Sequence, residues 1–297
     1  MTSNFLDLDK YIKRKTLIIE KNLYSYFENK NTILWQAMNY SIRAGGKRLR
    51  PVIALAVCEM LEGNEEVVIP SACAIEMIHT QSLIHDDLPS IDNDDLRRGK
   101  PTNHKVYGEA MAIIAGDGLI TLAFYTICKY TKNTEYINIL KVIEELSYAA
   151  GPDGMCGGQA IDIIAEKNKE FIVDENILNY IHSNKTGAII KASGKIGAIL
   201  SNASENEIEL ITSYCKNIGL AFQIIDDILD VKGETRILGK TARKDINKAT
   251  FPNFYGIEKS IKIAKELVEN AISNLDYFGN KAKYLIDLAY YILERNY

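Results

Sequence analysis

The stretch "NEIELITSYCKNIGLAFQIIDDILDV" (Asn206–Val231) decides the fold class, because its apolar residues return every three or four positions from end to end. Ile208, Ile211, Cys215, Ile218, Phe222 and Ile225 share one broad helical face, and no period-two alternation interrupts them. The end of the segment then breaks the apolar pattern. Asp226 and Asp230 are four apart and stand on one face, with Asp227 beside them and Ile224, Ile225, Ile228 and Leu229 around them. Like charges at that spacing each cost a few tenths of a kcal/mol in a helix. Apolar surroundings raise the cost unless a cation balances it.

A second acidic run lies upstream, in "HDDLPSIDNDDLRRGKPTNH" (His85–His104). Asp86, Asp87, Asp92, Asp94 and Asp95 are followed by Arg97, Arg98 and Lys100. Helix-compatible apolar segments flank it on both sides, so the run reads as a tethered loop and a site rather than a solvated tassel. Two oxygen-rich clusters suit a hard cation such as Mg²⁺, which takes few carboxylates, keeps waters and binds through substrate phosphates. Neither cluster has the loop glycine and terminal glutamate of a calcium-binding EF-hand, and no Cys/His spacing fits zinc. A bundle presenting acids from facing helices is a known route to a metal centre.

The rest of the chain agrees with an all-α reading. "DENILNYIHSNKTGAIIKASGKIGAILS" repeats the helical period, and the six prolines mark expected helix starts and stops. No Asn-Gly hairpin signal and no GxGxxG after a strand is present. With 297 residues, 47% hydrophobic, and no linker or repeat, one all-α domain spanning 1–297 is expected. A net charge of −4 argues against general nucleic-acid binding. The five cysteines form no CxxC pair and read as reduced thiols. "MTSNFLDLDKYIKRK" lacks an apolar leader, and no run of about 18 apolar residues occurs, so no membrane span and a cytoplasmic location are expected.

Basic groups are also clustered. "SIRAGGKRLRP" sets Arg43, Lys47, Arg48 and Arg50 around Gly45 and Gly46, and "LRRGKP", "NKTG" and "LGKTARKD" add Arg97, Arg98, Lys100, Lys185, Thr186 and Lys240. Glycines let backbone amides approach an anion, while arginine and lysine bind phosphate oxygens. In an acidic chain with two metal-type clusters, this points to a polyanion such as diphosphate.

These motifs, with "GMCGGQAIDI" and "GLAFQIIDDILD", resemble in content and order those of the short-chain trans-isoprenyl diphosphate synthases, the bacterial-type farnesyl and geranylgeranyl diphosphate synthases. The resemblance runs from about Ala37 to "DLAYYILERNY". It implies an all-α, single-domain bundle around a deep central cavity, generally a homodimer, with the aspartate motifs facing each other at the cavity mouth. It implies several Mg²⁺ ions held by Asp86, Asp92 and Asp226, with Asp87 and Asp230 in support. Arg97, Lys185 and Lys240 would hold the allylic diphosphate; Gly46, Lys47, Arg50, His79 and Arg98 would hold isopentenyl diphosphate.

The implied reaction ionises the allylic C–O bond. Metal, lysine and arginine stabilise the leaving diphosphate, and Thr186, Gln223 and the ring of Phe222 stand beside the carbocation. Gln159 and Asp162 are candidates for a network near the metals, Gly157 and Gly158 equally for packing. His85, His104 and His182 read as satisfied structural histidines. The position five before the first aspartate is typically aromatic in bacterial farnesyl diphosphate synthases. Here it is Gln81, next to Ser82. The overall motif match favours farnesyl diphosphate as product, with geranylgeranyl diphosphate the alternative that Gln81 leaves open. A terpene cyclase would not need the "GGKRLRP" site, and a noncatalytic helical partner subunit would be expected to lose an aspartate cluster.

Overall fold

The computed structural model describes residues 2–168, 170–238 and 249–294. Among these the secondary structure is almost entirely helical, as the apolar period dictates. The helices are α1 (Thr2–Ser25), α2 (Ile33–Ile42), α3 (Leu49–Met60), α4 (Glu65–Asp86), α5 (Asn103–Tyr107), α6 (Glu109–Tyr130), α7 (Tyr136–Ala150) and α8 (Met155–Lys167). They continue with α9 (Glu175–Lys185), α10 (Gly187–Leu200), α11 (Glu205–Leu238), α12 (Phe251–Tyr255), α13 (Ile257–Ser273) and α14 (Lys283–Glu294). Contacts group the chain into two compact units: Asp9–Glu144 with Ile196–Asn202, and Met1–Leu8 with Glu145–Lys195 and Ala203–Tyr297.

In the first unit α4 packs against α3 and α6. The side chain of Asn64 caps it by accepting from the Glu66 N–H, and Glu65 and Glu66 in the first turn complement the helix dipole. Pro70 was expected at a boundary but lies inside α4. Burial of Val67, Val68, Ala72 and Ile75 around it outweighs the one backbone hydrogen bond that proline cannot make. Glycine sets the closest helix contact. A Cβ on Gly197 of α10 would lie 2.5 Å from the Ala54 carbonyl oxygen of α3. Helices α4 and α6 are long and apolar enough to cross a membrane. Most of α4 is nonetheless buried inside this unit, as in a core helix.

One feature escaped the all-α reading. Leu96–Arg97 and Lys100–Pro101 pair as a minimal antiparallel hairpin, β1 and β2. Arg98 and Gly99 at its turn have φ of 54° and 74°. Positive φ at both central positions is the requirement of the tight hairpin turn, and glycine at the second makes it accessible.

In the second unit α11 packs against α13, α9, α12 and α14. Leu178, Ile224, Ile225, Ile228, Phe251 and Ala264 form its core around the acidic stretch of α11. The continuous helical period of 174–201 is broken at Thr186, which leaves α9 with ψ of −44° but φ of −110° before α10 begins at Gly187. Gly219 of α11 approaches Gly187 so closely that an added Cβ would sit 3.2 Å from the Gly187 Cα. The break therefore lies where two backbones meet.

Candidate active site

In the first unit α4 delivers Asp86 at its last position and Asp87 at its C-cap. The chain then folds back. The Asp92 N–H donates to the Asp86 carbonyl at 2.9 Å, and Asn93 adopts φ of 54°. Residues six apart in sequence become backbone neighbours, with Asp86 half-buried and Asp92 exposed.

Asp87 is turned inward and is only 3% exposed. Its Oδ1 accepts from Arg97 Nε at 2.9 Å and also from Nη2, while Nη2 donates to Asp94 Oδ2 at 2.9 Å. Burial pushes the Asp87 carboxyl above its ordinary value, against the pull of Arg97. Asp87 and Arg97, assigned from sequence to metal and diphosphate, thus engage each other in this conformation.

The basic motif divides by direction. Lys47 is exposed, whereas Arg48, grouped with it in sequence, is buried and donates to Glu76 Oε1 at 2.7 Å and Glu20 Oε1 at 3.3 Å. Arg48 is therefore a core ion-pair residue, not a phosphate ligand. The Arg98 guanidinium lies over Gly46 and donates to the Gly45 carbonyl; a Cβ on Gly46 would be 2.5 Å from Arg98 Cζ. Arg50 Nη1 lies 3.3 Å from His79 Nε2. Burial and the neighbouring arginines hold His79 well below its usual range, so it is neutral and its Nε2 accepts from Arg50.

Gln81 is buried, and its Nε2 lies 3.0 Å from His85 Nδ1. His85 Nε2 lies 3.2 Å from the Ile113 carbonyl of α6. The carbonyl can only accept, so Nε2 carries the proton and Nδ1 accepts from the amide. Gly116 makes room: a Cβ there would be 2.0 Å from His85 Nε2. Ser82 Oγ donates to the His79 carbonyl at 2.9 Å. Gln81 Oε1 is buried without a hydrogen-bond partner among the described residues.

In the second unit Lys185 Nζ donates to Asp162 Oδ2 of α8 at 2.6 Å. Gly158 allows that approach, since a Cβ there would lie 2.2 Å from the Lys185 backbone nitrogen. Thr186 Oγ1 lies 2.6 Å from Gln223 Oε1, and Gln223 Nε2 donates to Asp227 Oδ1 at 2.8 Å. Asp227 Oδ2 accepts from the Phe251 N–H at 3.3 Å. Burial pushes Asp227 up to about 7, opposed by those two hydrogen bonds. Asp226 is half-buried and Asp230 exposed.

His182 Nε2 donates to the Ala249 carbonyl at 3.0 Å. Burial lowers its pKa to about 4, so its 3.6 Å approach to Asp227 is not an ion pair at neutral pH. His85 and His182 are satisfied, as expected; His104 bonds Thr102 through Nδ1, but its Nε2 has no partner among the described residues. Lys240 lies outside the described residues.

Among the described residues no three His, Cys, Asp or Glu side chains converge on one point. The donor set still fits Mg²⁺. Asp86, Asp92, Asp226 and Asp230 are carboxylates with at least partial solvent access, and this ion binds through one or two carboxylates completed by water and phosphate oxygens. Sequence reasoning missed Asp227 as a hydrogen-bonding centre. The four-residue spacing from Gln223 carried the signal, since i and i+4 meet on a helix.

Comparison with known proteins identifies the family. The polyprenyl synthetase family model matches residues 31–288. The chain is 46% identical over 299 aligned positions to a geranylgeranyl diphosphate synthase of Cyanophora paradoxa, covering 100% of this chain and 99% of that protein. It is 48% identical over 281 positions to a dimethylallyltranstransferase of Fischerella ambigua, covering 94% and 80%. Among solved structures, an FPP/GFPP synthase from Zymomonas mobilis superposes with a TM-score of 0.88 at 36% identity, covering 97% of this chain and 99% of that one.

A pH prediction follows from His182. Its folded pKa lies below its ordinary 6.5, so between about 4 and 6.5 the unfolded chain binds a proton that the folded chain does not. The neutral histidine therefore contributes stability that is complete above pH 6.5 and declines as the pH falls, by about 2 kcal/mol near pH 5. Urea unfolding of wild type and His182→Asn is expected to show a stability gap that narrows between pH 7 and pH 5. A gap independent of pH would refute this.

Proposed function

The chain belongs to the polyprenyl synthetase family and is a prenyltransferase, and we propose that it condenses isopentenyl diphosphate head-to-tail with allylic diphosphates to give geranylgeranyl diphosphate. Motif resemblance alone favoured the fifteen-carbon farnesyl product. The full-length relative at 46% identity bears the geranylgeranyl name, whereas the FPP/GFPP synthase structure stands at 36%. The residue that carries the reading is Gln81, where bacterial farnesyl synthases typically place an aromatic ring. Its amide is narrower than tyrosine, and His85 anchors it.

The residues divide the work as follows. Asp86, Asp92 and Asp226, with Asp230, hold Mg²⁺, which when bound neutralises the charge that grows on the leaving diphosphate. Lys185, Lys240 and Arg97 hold the allylic diphosphate, Arg97 after exchanging Asp87 and Asp94 for phosphate oxygens. Lys47, Arg50 and Arg98 hold isopentenyl diphosphate, with Gly46 making room for the Arg98 guanidinium beside the backbone. Neutral His79 accepts from Arg50 and can donate through Nδ1 to the same diphosphate. Thr186 and Gln223 present oxygens to the carbocation, and the isopentenyl double bond attacks it. The proton then leaves to the departing diphosphate, so no protein nucleophile is consumed. A terpene cyclase takes one diphosphate and would leave the cluster of Lys47, Arg50, His79 and Arg98 without use.

We also propose a homodimer. Ile113, Ile114, Tyr125 and Tyr130 of α6 and Tyr136, Ile137 and Leu140 of α7 are exposed apolar side chains on two consecutive helices, which supports an interface there. A sedimenting species of about twice the chain mass is expected; a monomer at micromolar concentration would exclude the dimer.

Purified protein incubated with Mg²⁺, isopentenyl diphosphate and each of dimethylallyl, geranyl and farnesyl diphosphates is expected to form a twenty-carbon product. Gln81→Tyr is expected to shift it to fifteen carbons. A fifteen-carbon end product from the wild type would overturn the chain-length reading, and no condensation with any starter would overturn the transferase reading.

A further inference from the structure

The hydrogen-bond chain around Asp227 has a direction, and that direction has a chemical use. The Phe251 backbone N–H can only donate, and it donates to Asp227 Oδ2 at 3.3 Å. The other carboxylate oxygen, Oδ1, faces the Gln223 side-chain amide at 2.8 Å. Nε2 donates to that oxygen, so the amide turns its NH₂ toward Asp227 and its oxygen toward Thr186. That oxygen, Gln223 Oε1, lies 2.6 Å from Thr186 Oγ1. An amide oxygen also only accepts, so the Thr186 hydroxyl hydrogen is committed to it. Each donor and acceptor role follows from the one before.

The outcome is a fixed polarity. With its hydrogen committed to Gln223, Thr186 Oγ1 keeps its lone pairs for a ligand, and Gln223 Oε1 keeps one of its two. Both side chains are half-buried, whereas Asp227 is 5% exposed. An amide flip would cost little in shape, because oxygen and NH₂ are nearly the same size. It would reverse the polarity, placing NH₂ against Thr186 and turning the hydroxyl hydrogen outward. A positive centre is stabilised by the first arrangement and repelled by the second.

We propose that Asp227 is a positioning residue that locks the Gln223 amide in one orientation, so that Gln223 and Thr186 present oxygen lone pairs to the allylic carbocation. The inference rests on the prenyl-transfer reading and deepens it. Asp227 acts here through Gln223 and not as a further metal ligand. Its burial separates it from Asp226 and Asp230, which have more solvent access. The backbone of Phe251 supplies the fixed reference, since a main-chain N–H at a helix start cannot turn round as a side-chain amide can.

An exchange of the two polar groups tests this. Asp227→Asn lets the new amide donate to Gln223 Oε1, which invites the flip; Gln223→Glu sets two carboxylates against each other. In the double variant the introduced asparagine accepts from Phe251 N–H and donates to the introduced glutamate. The other oxygen of that glutamate accepts from Thr186, so the original polarity returns. Each single variant is expected to lose roughly 100-fold in kcat, the lower end of what removing one preorganised dipole costs, with KM for isopentenyl diphosphate and the Mg²⁺ concentration for half-maximal rate within about twofold of wild type. The double variant is expected to recover at least about tenfold over either single one.

Losses that multiply in the double variant, or a raised Mg²⁺ requirement in Asp227→Asn, would overturn the proposal. Should Asp227→Asn fail to fold, comparison of the double variant with Gln223→Glu alone decides the same point. A wild-type enzyme without condensation activity refutes the prenyl-transfer reading instead, so the two failures are distinct.

Discussion

Carboxylates crowded on or beside apolar helices must find counter-charge or donors, and the local structure around both acidic motifs follows from how each one does so. Asp87 turns inward and takes Arg97, and Asp227 turns inward and takes Gln223 and the Phe251 N–H. Asp86, Asp92, Asp226 and Asp230 keep solvent access, where a hydrated divalent cation with diphosphate oxygens can balance them. In each motif adjacent aspartates therefore do different jobs. The inward member fixes the local geometry, and the outward members stay open to solvent, where the proposed ligand would meet them.

The basic motif obeys the same rule. Arg48 enters the core, where Glu76 and Glu20 offset the cost of burying its charge, and this pins the loop that carries Gly46 and Lys47 and the start of α3 that carries Arg50. Close backbone contacts do comparable work. Gly158 brings α8 near enough for Asp162 to hold Lys185, and Gly116 admits the His85 ring that anchors Gln81. Small residues here set distances on which charged and polar groups depend.

Much of this was legible in the sequence. The spacing of Ile211, Cys215, Ile218 and Ile225 gave a helix whose apolar face is indeed buried, and the order of the motifs gave the family. Inward and outward members of each motif could not be separated, because Asp226 and Asp227, or Lys47 and Arg48, differ only in which way the backbone turns them. Arg48 turns inward at φ of 49°, a value no local preference of arginine announces. The "LRRGKP" hairpin carries glycine at one turn position only, so it lacked the usual hairpin signal. The break at Thr186 was hidden because apolar periodicity continues through it; close approach of Gly187 and Gly219 places it there.

The most direct test is a crystal structure of the protein soaked with Mg²⁺, isopentenyl diphosphate and an unreactive thiolo analogue of an allylic diphosphate. The expected result is Mg²⁺ bound by Asp86, Asp92 and Asp226 and bridged to the analogue's diphosphate, with Thr186 Oγ1 and Gln223 Oε1 directed at its first carbon. Diphosphate bound without metal on those aspartates, or metal bound by Asp87 and Asp227 in their place, would contradict the division between inward and outward carboxylates.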